Sequence, residues 1–389
     1  MKYRRASAVL ASVALAAAGL LAAPGPAGAT TASPWHVMPA LASPPGARGT
    51  AVTAVSCATT SNCLAAGVYY NSRGTEFPLA ERWNGTTWTA KKLRLPPHGD
   101  YGKATAVSCP TTTWCVVLGS YDDPGVYYSD ALPVAWEDND GTWTTTRISG
   151  PPFNYLDAVS CTGVDLCTAV GSYEIIGVEE DYAAAYRLDG STWSLQQTVS
   201  SGTRNEEFTG VSCRTATECV ATGDEQHTAD DNSVPMIQYW NGQSWRVMHR
   251  VLLPTGLTSG TLSQVSCTAV NSCTAVGSYN PVTGPKLPLA EHWNGGDWKP
   301  QSIPLPPGGT SGELTALTCL TSTRHCVAVG DYYTAGDGYY GLVENRNGTA
   351  WTSQRLADGG LDVEPTGLSC RPAGVCVAVG YTPEERGGA

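Results

Sequence analysis

Phenylalanine and methionine are scarce in this 389-residue chain, at three and four copies, and only 15% of its residues are charged. With 43 glycines and 26 prolines it has no long run of charged helix formers, which excludes helical repeats and coiled coils. Histidine is equally thin: His36, His98, His227, His249, His292 and His325 form neither H-x-H nor HExxH, so no zinc-hydrolase pattern exists. There is no G-x-S-x-G nucleophile elbow. Beyond the N-terminus no segment is apolar enough to span a membrane. Positive charge is also short, with 23 Lys and Arg against 34 Asp and Glu. The net charge of -11 repels nucleic acid and anionic membranes, which excludes both as partners and leaves a monomer that meets extracellular glycans or proteins.

The N-terminus reads as an export signal. Lys2, Arg4 and Arg5 precede an Ala/Leu/Val run from Ala8 to Ala23, and Ala27-Gly28-Ala29 has the small-x-small form of a cleavage site. Residues 1–29 are expected to be a signal peptide and 30–389 a single secreted, extracellular domain. The alternative, a membrane anchor, needs a longer apolar run than this one.

The fourteen cysteines give the organisation away. They fall in seven pairs, Cys57/Cys63, Cys109/Cys115, Cys161/Cys167, Cys213/Cys219, Cys267/Cys273, Cys319/Cys326 and Cys370/Cys376. The first members are 52, 52, 52, 54, 52 and 51 residues apart, a period that marks a repeat architecture. Each pair flanks a short loop between two strands, as in Thr53-Ala54-Val55-Ser56-Cys57 and Cys273-Thr274-Ala275-Val276-Gly277. A third strand such as Pro288-Leu289-Ala290-Glu291-His292-Trp293 ends at an Asx-Gly turn, and a Trp opens the fourth. Four antiparallel strands in about fifty residues make one propeller blade. In an exported chain the Cys pairs read as disulfides. A zinc site would have to recruit its other ligands from a neighbouring blade, too far around the ring.

The run Ala275-Val276-Gly277-Ser278-Tyr279, then Trp293-Asn294-Gly295-Gly296-Asp297-Trp298, then Ile303-Pro304-Leu305-Pro306-Pro307 resembles a kelch repeat. It departs from kelch in having one Gly where kelch has two and in the added Cys pair, and so is similar to Cys-paired propellers of secreted bacterial proteins. The fold expected is all-β: a seven-bladed β-propeller of four-stranded blades with one disulfide per blade. The last blade is expected to be closed by the N-terminal strand Trp35–Leu41 with no third strand of its own, so that either it has three strands or the sequence is a truncated form. The resemblance does not imply the copper chemistry of galactose oxidase, because every Cys here has a partner and no His pair stands out. The Asp138 to Trp143 turn is similar to a sialidase Asp-box but lacks its leading Ser.

A hydroxyl precedes the first Cys of every repeat, at Ser56, Ser108, Ser160, Ser212, Ser266, Thr318 and Ser369. It is expected to satisfy backbone groups of the next blade. Function is sought where the repeats differ. The loops after strands two and four share one face, and there acids such as Asp224 and Asp331 interleave with tyrosines. The candidate ligand-binding residues are Asp122, Asp123, Tyr127, Tyr128, Glu179, Glu180, Asp181, Asp230, Asp231, Tyr339 and Tyr340. Tyr and carboxylates together suit sugars, cationic peptides or Ca²⁺, the one cofactor considered. No spacing singles out a catalytic pair. The expected function is a secreted, non-enzymatic binding module. The alternatives are a carbohydrate-active hydrolase or lyase using two of these carboxylates, and a structural cell-envelope protein.

Overall fold

The computed structural model describes residues 12–17, 35–125, 131–151, 153–175, 177–178, 180–226, 232–248, 259–321, 325–336, 338–356, 363–371 and 374–381. Six four-stranded antiparallel sheets follow one another along the chain, each built from one repeat. They span residues 49–92 (blade 1), 102–147 (blade 2), 154–196 (blade 3), 204–247 (blade 4), 259–301 (blade 5) and 309–355 (blade 6). Blade 1 sets the pattern: Gly49–Thr59 is innermost, and Asn62–Tyr70, Glu76–Trp83 and Trp88–Lys92 follow it outward in register.

A further four-stranded sheet stands between blades 6 and 1, but no single repeat builds it. Cys376–Tyr381 pairs with Glu364–Cys370 on one side and with Ser12–Ala17 on the other, and Ser12–Ala17 pairs in turn with Trp35–Val37. The expected seven-bladed propeller with an incomplete last blade is therefore corrected. The repeats make six blades, and the Cys370/Cys376 repeat gives only two strands to a sheet shared by both ends of the chain. Trp35–Val37 does join this sheet, through Ser12–Ala17 rather than directly. The physical reason is that a short Ala/Val/Leu run fits an export leader and a fully buried strand equally well. Ala183-Ala184-Ala185, buried in the third strand of blade 3, has the same composition.

The glycine that recurs in the second strand has a steric cause. A Cβ on Gly223 would lie 1.9 Å from the Glu207 carbonyl oxygen, and one on Gly67 2.0 Å from that of Ala51. This close approach accompanies a β-bulge in every inner strand, between Val52 and Ala54 in blade 1 and between Phe208 and Gly210 in blade 4. The bulge leaves one inner-strand residue unpaired in each sheet and re-aims it. At the other end of the blades Asp140 and Gly141 both have positive φ, 50° and 84°, as a tight hairpin turn demands.

Apolar side chains from neighbouring sheets pack face to face, so the core lies between blades. One cluster joins Val116 and Leu118 of blade 2 to Leu156 and Tyr186 of blade 3. The cysteines are disulfide-bonded within their repeats, as Cys57–Cys63, Cys109–Cys115, Cys161–Cys167, Cys213–Cys219, Cys267–Cys273 and Cys319–Cys326 in the six blades and Cys370–Cys376 in the shared sheet. The expectation of one bond per blade of a seven-bladed ring is corrected accordingly: the seventh bond staples the seam. Five residues separate the partners of each pair except Cys319 and Cys326, which enclose six. The second cysteine of every pair, Cys63, Cys115, Cys167, Cys219, Cys273, Cys326 and Cys376, is buried where the second strand begins. There it ties that strand to the end of the inner one.

The hydroxyl before the first Cys reaches the neighbouring sheet as expected. Ser56 Oγ accepts the Cys109 N–H at 2.9 Å, and the same bond runs from Cys161 to Ser108, Cys213 to Ser160, Cys267 to Ser212 and Cys319 to Ser266. Cys57 N–H to Ser369 Oγ, 3.0 Å, closes the circle. Thr318 departs from the series and donates to the Leu368 carbonyl instead.

Candidate functional site

The bulged residues line a central channel of about 150 Å³. They are Thr53, Thr105, Asp157, Thr209, Ser263, Thr315 and Thr366. Four of the threonines donate to a carbonyl of the next inner strand: Thr105 to Leu156, Thr209 to Leu262, Thr315 to Pro365 and Thr366 to Val52. Asp157 stands in this hydroxyl ring as a carboxylate. It is open to channel water yet walled by protein, and that desolvation raises its pKa to about 6. Glu207 adds to the rise and Lys103 opposes it.

Two residues before each bulge the inner strands present Lys103, Glu207, Glu313 and Glu364 at the channel mouth. Their register partners lie on the second strands: Glu207 faces Asp224, Glu313 faces Asp331, and Glu364 faces Tyr381. Residues directly opposite in an antiparallel pair project on the same side, so the acids meet. Burial followed by repulsion from Glu207 lifts Asp224 to about 7. Burial followed by Glu313 and Glu364 lifts Asp331 to about 7, with Lys286 pulling the other way through its 2.7 Å ion pair to Glu313. Glu207 is itself raised, by burial and then by Asp181. The mouth thus holds mutually repelling carboxyls at low hydration. Among the described residues no group of three or more His, Cys, Asp or Glu side chains is gathered closely enough to hold a metal ion.

The sequence candidates are scattered relative to this mouth. Asp122 and Asp123 are buried, and Asp123 accepts the Gly125 N–H at 3.0 Å and pairs with Arg147 at 3.6 Å, fixing its own loop. Glu180 pairs with Arg204 at 3.4 Å and accepts from the Tyr182 hydroxyl. Asp181 is half-buried and raised by desolvation, beside the mouth acids of blade 4. Tyr339 belongs to the mouth: its hydroxyl is pushed up by burial, then by Asp331 and Glu364, and its ring meets Tyr333 edge-on at 4.9 Å. Tyr340 instead lies beneath the Arg355 guanidinium, 3.7 Å away. Tyr127, Tyr128, Glu179, Asp230 and Asp231 lie outside the described residues. The paired cysteines take no part in the mouth, because they stand at the opposite end of the inner strands from Glu207, Glu313 and Glu364. Asp157, Glu207, Glu313 and Glu364 were missed. Their signal was positional, the bulge residue and the one two before it, and for Asp224 and Asp331 the residue just after the strand-two Gly.

No family model matches the chain, and no curated protein does. Among solved structures it is similar to YCF48 bound to D1 peptide, at 15% identity over 86% of this chain and 92% of that one, TM-score 0.50. It is also similar to a polysaccharide lyase, PL25 ulvan lyase, at 9% identity over 81% and 84%, TM-score 0.54. YCF48 from Cyanidioschyzon merolae gives 12% identity over 86% and 96%, TM-score 0.50. At these identities the likeness is one of fold: the chain is a β-propeller, and a propeller scaffold does not fix its function. Seven disulfides belong to an oxidising compartment, and among the described residues no helix is long and apolar enough to cross a membrane.

Proposed function

We propose that the protein is exported and acts as a non-enzymatic binding module. Its ligand is a positively charged segment of an extracellular protein, held at the channel mouth. One observation carries this reading: Glu207 opposite Asp224 in blade 4, and Glu313 and Glu364 around Asp331 at blade 6 and the seam, form two acidic groups, and burial followed by repulsion within each raises Asp224 and Asp331 to about 7. A lysine or arginine side chain entering the mouth relieves that repulsion and draws these carboxyls into their charged form. Tyr333 and Tyr339 stand beside them as aromatic surfaces for the cation and its methylene stem. That the similar YCF48 structure holds a peptide supports the reading only as far as a shared fold allows.

Titration calorimetry of the purified protein with oligolysine and with oligoglutamate tests it. Oligolysine is expected to bind with an affinity that falls as salt rises and grows from pH 6 to pH 8, as Asp224 and Asp331 ionise. The double variant Asp224→Asn, Asp331→Asn is expected to lose at least tenfold. Equal binding of both peptides, or none of oligolysine, overturns the proposal.

A second reading has its own support. Asp224, raised to about 7, faces Glu207 across one hairpin, and two adjacent carboxyls are what a glycan hydrolase or lyase needs for acid and base. Release of new reducing ends from a panel of extracellular polysaccharides, abolished by Glu207→Gln, would establish it.

A further inference from the structure

Along the outer strands, the boundary between blades 3 and 4 opens into a cavity of about 410 Å³ whose lining carries no charge. It is bounded by Trp240 and Trp245 of blade 4, by the turn residues Gln243 and Ser244, and by Gln196 and Gln197 where blade 3 runs outward. The repeats themselves show that this space is not a necessity of the fold. At the boundary of blades 5 and 6 the corresponding residues are in contact, and the Trp351 indole donates to Gln301 Oε1 at 2.9 Å. Gln196 holds the position of Gln301, three residues after the outer-strand Trp, and Trp245 that of Trp351. Here Gln196 turns back to Ser194, donating to its hydroxyl at 3.1 Å, and the buried Trp245 Nε1, like those of Trp88, Trp193 and Trp298 at the same strand position, has no hydrogen-bond partner among the described residues. The same pair of side chains is closed at one boundary and open at the other.

The turn is rigid for a local reason. Asn241 Oδ1 accepts the N–H groups of Gln243 and Ser244, both at 3.0 Å, which frees their side chains for the cavity. Trp240 is buttressed from behind by the Arg187 guanidinium at 5.2 Å and tilted against Trp245, with ring centroids 5.8 Å apart. From these observations we infer that the cleft between blades 3 and 4 binds one unit of a neutral saccharide. Its hydroxyls exchange hydrogen bonds with the Gln197, Gln243 and Ser244 side chains, and it touches only the narrow exposed edges of the buried Trp240 and Trp245. Amide and hydroxyl groups match a polyol that both donates and accepts, whereas a charged ligand would meet no counter-charge. This site is separate from the acidic mouth and stands or falls independently of it.

The test titrates the full chain with glucose, galactose, mannose, N-acetylglucosamine and cellobiose, followed by calorimetry and tryptophan fluorescence. One or more of these is expected to bind saturably, with a fluorescence change. Ser244→Trp, a substitution in an exposed turn that fills the cleft, is expected to weaken that binding at least tenfold with the thermal midpoint unchanged. Gln197→Ala combined with Gln243→Ala is expected to weaken it three- to tenfold, and Asp224→Asn with Asp331→Asn to leave it alone. Three outcomes overturn the inference: no saturable binding of any sugar, binding untouched by Ser244→Trp, or a cleft that takes a peptide and no sugar.

Discussion

At pH 9 the variant Glu344→Gln is expected to be more stable than the parent, and at pH 5 to match it. Glu344 occupies the middle of the third strand of blade 6, fully buried, and neither carboxyl oxygen has a hydrogen-bond partner among the described residues. Burial lifts its pKa from 4.5 to about 8. The carboxyl is therefore neutral in the folded protein at pH values where the unfolded chain has already ionised it. Its contribution to stability is whole below pH 4.5 and is lost as pH rises through about 8. A rise of that size corresponds to a ceiling on the order of 5 kcal/mol at about 1.4 kcal/mol per pKa unit. Glu81 and Glu291, two residues before Trp83 and Trp293, occupy the same position in blades 1 and 5 and are raised equally. Blade 4 has Gln238 there, a permanently neutral residue whose amide both accepts the Val199 N–H at 3.0 Å and donates to its carbonyl. Glutamine thus already fits this site in one repeat. Thermal and urea unfolding of parent and variant, followed by circular dichroism from pH 5 to pH 9, measures the difference. Parallel profiles across that range would refute the claim that Glu344 is buried in its neutral form.

Replacing Gly223 by Ala drives a methyl group into the Glu207 carbonyl and should cost about 3 kcal/mol or more in urea unfolding, whereas Gly141→Asn, in an open turn, should cost under ~1 kcal/mol. Ser369→Ala removes the acceptor of the Cys57 N–H and is expected to cost about 1 kcal/mol, measured as a drop in the unfolding midpoint; an unchanged midpoint would show that the closing bond contributes nothing. A chain starting at Thr30 lacks the strand between Val37 and Tyr381, so it should melt earlier and self-associate in analytical ultracentrifugation; the same melting temperature as the full chain would contradict the pairing described here.

The blades were legible because cysteine, glycine and Asx-Gly recur with one period and each has a local steric or covalent reason to be where it is. The seam between the ends was not, because Ser12–Ala17 carries no periodicity that separates a leader from a strand. The acidic face was legible as a direction but not residue by residue. Asp122 and Asp123 read as free acids because sequence cannot show that Asp123 is taken up by Gly125 and Arg147. Glu207 and Glu313 went unremarked because they lie within strands, and only the bulge register reveals that they rim the channel opposite Asp224 and Asp331.

Closing the circle by joining the first and last parts of the chain has a cost that none of the other boundaries carries. The Ser56–Cys109 clasp spans 53 residues, whereas the Ser369–Cys57 clasp spans 312. For a flexible polymer, that longer loop costs about 1.5 kcal/mol more in closure entropy. Each boundary between consecutive blades can form while the chain is still being synthesised. The seam must wait for residue 381, and until then two strand edges lie open. It is therefore the last boundary to assemble. There, strand exchange between two copies of the chain would begin, and an inhibitor of aggregation during refolding should act there first.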